Sequence, residues 1–120
     1  MKQQRNEQSL ATVHPRVRDL EWAAGFLEGE GSFTMQSNGV TPRIQAAQVE
    51  LDPLIKLIIL FGGAIYRQPD DRPNKSDCFY WYVGGSRAVG VMMTLYNLFG
   101  TKRKGQIFGV LAKWKRWKKS

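Results

Sequence analysis

Cysteine and histidine are almost missing from these 120 residues, with only Cys78 and His14 present. One thiol excludes an internal disulfide and every four-cysteine zinc module, and one imidazole excludes histidine-rich metal sites. Long apolar runs are missing too. The most apolar stretch, residues 54–65, is broken by Lys56 and by Gly62-Gly63 and is too short to span a bilayer. The first ten residues are polar and charged, so no signal peptide is expected, and the reading is an intracellular chain with no membrane partner. Acid is absent from residues 101–120, which hold Lys102, Arg103, Lys104, Lys113, Lys115, Arg116, Lys118 and Lys119. The rest of the chain is balanced, so the net charge of +8 belongs to this one end. A basic end on a neutral body points to a polyanion, nucleic acid before a membrane surface. The plainer alternative is a solvated tail.

What is present fits one globular domain: 42% hydrophobic and 23% charged residues, enough for a single core. Residues 1–18 show no apolar period and read as a flexible leader; residues 19–120 read as the domain. A helix is expected from Asp19, ended by Gly29 and Gly31. The alternation from Ser32 to Gln36 predicts a strand, Ser37-Asn38-Gly39 a hairpin turn, and Arg43 to Val49 the returning strand. Asp52-Pro53 opens a second helix that Gly62-Gly63 stops. Two further strands are expected over Ala64–Gln68 and Cys78–Val83. A helix capped by Ser86 should run to about Phe99, and a last one from Lys102 to Lys118. Hairpins alternating with helices predict an α+β domain, one antiparallel or mixed sheet with helices on one face. The other face would carry Thr34, Gln36, Arg43, Gln45, Tyr66, Gln68, Tyr80 and Tyr82, polar and aromatic without an acid. Amides and guanidinium groups on such a face suit reading of base edges in a DNA groove.

Glu28 and Glu30 stand at the C-terminal end of the first helix, where the macrodipole is negative and each acid costs about 0.3–1 kcal/mol. A divalent cation with a taste for hard oxygen ligands would offset that cost; solvated acids before a glycine stop are the plainer reading. Gly25 and Gly29 lie four apart on one helix face, with Ala24 beside them, and permit close approach of another backbone.

The segment Ala23-Ala24-Gly25-Phe26-Leu27-Glu28-Gly29-Glu30-Gly31 resembles the motif that names the LAGLIDADG homing endonucleases. Pro42-Arg43-Ile44, Phe61-Gly62-Gly63, Tyr80-Trp81-Tyr82-Val83-Gly84 and the cluster Thr101-Lys102-Arg103-Lys104-Gly105-Gln106-Ile107 follow in the family's order. The resemblance, over about residues 19–117, implies an αββαββα fold whose saddle-shaped sheet sits on double-stranded DNA. It implies a single-motif homodimer meeting at Ala24, Gly25, Glu28 and Gly29. It further implies Mg²⁺-dependent phosphodiester hydrolysis in intron homing, with Glu30 and the Gly29 carbonyl as metal ligands. By the same likeness Glu50, or the neighbouring Gln48, positions water, Lys102 is the active-site lysine with Lys104 its runner-up, and Arg67 and Lys104 join the DNA contacts. The implied compartment is a bacterial or phage-infected cytoplasm or an organelle. Glutamate at position 30, where the family more often has aspartate, is a departure. Two alternatives accompany this reading: a DNA-binding protein without catalysis, and a maturase acting on intron RNA.

Overall fold

The computed structural model describes residues 14–69 and 71–119. Residues 1–13 of the expected leader therefore lie outside the described residues. Helix α1 (Val17–Glu30) begins two residues before Asp19 and runs past Gly29. Asp19 acts from inside the first turn instead, its carboxylate accepting the Arg16 backbone N–H at 3.0 Å. The chain passes from α1 straight into β1 (Gly31–Met35). A Cβ at Gly31 would stand 2.7 Å from the Leu27 carbonyl oxygen, so the junction requires glycine for space.

Gln36 falls beyond β1, in the turn, where its N–H donates to the Thr41 carbonyl at 2.7 Å. Asn38 organises this turn: its side-chain oxygen accepts from the Val40 and Thr41 N–H groups at 2.9 and 3.0 Å. Strand β2 (Pro42–Gln48) leads through a bend to α2 (Asp52–Phe61). Leu51, not Asp52, caps α2. After Gly62-Gly63 come β3 (Ala64–Gln68) and β4 (Cys78–Gly84). Helix α3 (Gly85–Leu95) starts one residue before Ser86 and gives way at Tyr96–Leu98 to a 3₁₀ turn, and α4 (Thr101–Lys119) follows.

The sheet order is β1-β2-β4-β3, with every neighbour antiparallel. Register settles which side chains share a face, because directly paired residues point the same way. Phe33, Ile44, Val83, Ala46 and Trp81 form one set of partners, all buried under the helices. Ala23, Ala24 and Leu27 of α1, Leu54 and Leu57 of α2, Met92 and Leu95 of α3, and Ile107 of α4 complete one core. Trp81 is fully buried, and its indole N–H donates to the Gly62 carbonyl at 2.9 Å, so the core's largest side chain keeps its polar atom satisfied. The fold is α+β, as the alternation of hairpins and helices predicts.

Candidate nucleic-acid interface and acidic helix end

The opposite pleat of the sheet is the open one. Thr34 pairs with Arg43, Gln45 with both Ser32 and Tyr82, and Tyr66 with Tyr80, which places these side chains on one face together with Gln68. Arg43 lies with its guanidinium carbon 4.4 Å from the Tyr82 ring centre and donates through Nε to Gln45 Oε1 at 3.2 Å. Tyr66 and Tyr80 stack with ring centres 5.0 Å apart. Cys78, through the charge it takes on ionising, then desolvation and a hydrogen bond to the same sulfur, raises the Tyr80 phenol above its ordinary value. Tyr80 is therefore a neutral donor at physiological pH. The face presents donors, acceptors and ring faces with no carboxylate among them.

One expected member lies just beyond its strand, and another does not share the face. Gln36 is in the turn, and Arg67, opposite Phe79, has the helix-side parity and an exposed ion pair with Asp77 at 3.3 Å. Ser32, in phase with Thr34 in the alternation over residues 32–36 though not named for this face, belongs to it and pairs with Gln45.

At one end of this sheet three chain segments converge. Gly31 pairs with Ala46, so the end of α1 lies beside the Ala47–Gln48 end of β2, with Glu50 two residues further on. Glu28 Oε1 accepts the Gly100 N–H at 2.8 Å, and Arg103 Nε donates to the Glu28 carbonyl at 2.9 Å. Gly100 in turn accepts the Lys104 N–H at 3.0 Å, which makes it the cap of α4. The carboxylate at the negative end of α1 thus meets the positive end of α4, and the Arg103 guanidinium meets the terminal carbonyls of α1. These reciprocal caps bring Thr101-Lys102 to the acidic helix end. The sequence hints at them only through the odd placement of Glu28. Glu30, the last residue of α1, is exposed and unpaired among the described residues.

Two of the four residues expected to meet a second copy are engaged within the chain itself. Ala24 is 3% exposed and belongs to the core, and Glu28 is engaged with α4. Gly25 and Gly29 are exposed, with nothing within 4 Å of a Cβ built on either. Beside them Trp22 stacks on Phe26 at 5.5 Å, and the Lys56 ammonium of α2 lies 4.3 Å from the Trp22 ring centre. Leu51, Ile55 and Ile59 add an exposed stripe with helical spacing.

The C-terminal cations form two groups. Lys102 to Lys104 lie at the start of α4, with the Lys104 ammonium 5.6 Å from the Tyr96 ring centre, whereas residues 113–118 lie in its second half. Trp114 is half-buried and Trp117 is 49% exposed, so Trp117 does not cover the core.

No family model matches the sequence, and no curated protein matches it. Eighteen solved chains match the fold. One is the homing endonuclease I-CvuI, determined in complex with its target in the presence of Ca, at a TM-score of 0.59 and 15% identity over 82% of this chain and 69% of that one. The chain shares the fold of that endonuclease: the four-stranded antiparallel sheet with its helices.

Proposed function

We propose that the chain is a sequence-specific double-strand DNA endonuclease of the homing type, acting as a homodimer with Mg²⁺. The observation that carries this reading is the convergence of Glu30, the end of β2 and the start of α4 at one edge of an acid-free, amide- and aromatic-bearing sheet face. The fold shared with an endonuclease solved on its target supports it.

The donor set fits a hard divalent cation. Glu30 offers an unpaired carboxylate and Gly29 a last-turn carbonyl, the oxygen chemistry that Mg²⁺ selects. Among the described residues there is no group of three or more His, Cys, Asp or Glu that could hold a metal. The remaining positions would thus be filled by phosphate, water and the second copy's Glu30. When bound, such a metal polarises the phosphate and lowers the pKa of its water. In this proposal Gln48 and Glu50 orient the attacking water and Lys102 faces the developing negative charge. Arg43, Gln45 and Thr34 read base edges, while Tyr66, Gln68, Tyr80 and Tyr82 line the groove. Gly25 and Gly29 let two α1 helices approach at the two-fold axis.

Incubation of the purified protein with a plasmid carrying its own gene's uninterrupted insertion site tests the proposal. Linearisation with Mg²⁺ and none with EDTA is expected. Retained site-specific binding without any cut would establish the non-catalytic DNA-binding protein. Binding to intron RNA alone would establish the maturase.

A further inference from the structure

On the helical side of the molecule, away from the open sheet face, α3 and α4 diverge over a groove of about 610 Å³. Val89 and Met93 of α3 form one wall, and Phe108, Leu111 and Trp114 of α4 form the other. Phe108 is 67% exposed and Met93 65%, large apolar surfaces that the fold leaves in water. Exposed apolar surface concentrated in a groove marks a binding site, whereas scattered apolar residues do not. The rim is basic: Lys115 and Arg116 line the groove, with Lys113 and Lys118 on the same half of α4 and no acid after Asp77.

We propose that this groove docks an acidic amphipathic helix of a partner protein. The floor takes apolar anchors at i, i+3 or i+4 and i+7, and the rim takes the carboxylates that flank them. Charge decides against a second copy of this chain, which would bring the same cations face to face. The floor decides against RNA: base edges laid on Val89, Met93 and Leu111 would leave polar groups unpaired. Trp114 already carries the Lys118 ammonium 5.0 Å from its ring centre, which occupies the face a base would stack on. The proposal is independent of the nuclease reading, because the docked helix leaves the sheet face and Glu30 clear.

The test titrates the full chain with a fluorescein-labelled synthetic 16-residue peptide bearing leucines at helical anchor spacing and glutamates on their flanks. Its controls are the same composition with scrambled spacing, the same anchors flanked by lysine, and a single-stranded RNA of mixed sequence. Saturable binding of the acidic helix, weakened at least about tenfold by Phe108→Glu and by Met93→Glu, is expected, with neither control peptide binding comparably. Both sites are exposed, so unchanged circular dichroism certifies the variants, and the second stands in if the first misfolds. Equal binding of the scrambled peptide would overturn the proposal in favour of charge alone. So would RNA binding that both variants abolish, or a self-association in sedimentation that Phe108→Glu removes.

Discussion

Glu30 and Gly63 show how much a single side chain, or its absence, decides. Glu30 adds negative charge to a helix end that is already partially negative, and on DNA it would face phosphates of the same sign. Glu30→Gln should therefore abolish cleavage while leaving DNA affinity equal or slightly tighter, as a filter-binding titration beside the plasmid assay would show. Cleavage at the parent's rate would remove Glu30 from the ligand set. Gly63 is held by geometry of another kind. Its φ of 99° suits glycine, and a Cβ there would stand 2.5 Å from the Tyr82 carbonyl oxygen and 2.8 Å from the Trp81 indole nitrogen. Gly63→Ala should destabilise the fold by roughly 1–3 kcal/mol, read as a lowered denaturant midpoint at unchanged slope.

Helix α1 and helix α4 are joined through their ends, a junction that the sequence signals only through the placement of Glu28 at the negative end of α1. Glu28→Gln keeps an acceptor for the Gly100 N–H but removes the charge facing the start of α4, so a loss of about 0.5–1.5 kcal/mol in urea unfolding is expected. The elements themselves were largely readable. Alternation over residues 78–83 separated Trp81 and Val83 from Tyr80 and Tyr82, and the structure buries the first pair and half-exposes the second. Boundaries were less so, because caps compete locally: Asp19 and Asp52 are good cap residues, yet Arg16 and Leu51 hold those positions. Arg67 and Ala24 show what periodicity leaves out. Arg67 neighbours two open-face residues in sequence, but pleating turns it to the other side. Ala24 neighbours Gly25, but a helical step of about 100° carries it into the core.

Across the whole molecule, charge and surface divide by side. In the proposed reading the sheet face and the start of α4 meet a polyanion, whereas the second half of α4 borders an apolar groove. Log K for DNA should accordingly fall with log [salt] by about 0.9 per phosphate neutralised. Lys102→Gln should make that slope shallower and Lys118→Gln should leave it unchanged, as anisotropy at several salt concentrations would reveal. Assembly of two copies gives the other test at this scale. Because a side chain at Gly25 meets nothing within its own chain, Gly25→Leu should leave the protomer folded. Sedimentation equilibrium should then show a dimer for the parent and a monomer for the variant.

The caps between α1 and α4 also set the order in which the protein can be completed as it is made. Glu28 and its hydrogen-bond partner Gly100 are 72 positions apart, and Arg103 lies 75 beyond the carbonyl it serves. Synthesis runs from the N-terminus at about 5–20 residues per second. For several seconds, then, the acidic end of α1 exists without the helix that anchors it, however well the first hairpin has formed. Contacts of such long sequence separation also close slowly, since the loop must be ordered before they repay it. A chain interrupted between Gly84 and Gly100 would hold every strand of the sheet and still lack the anchor for its acidic helix end.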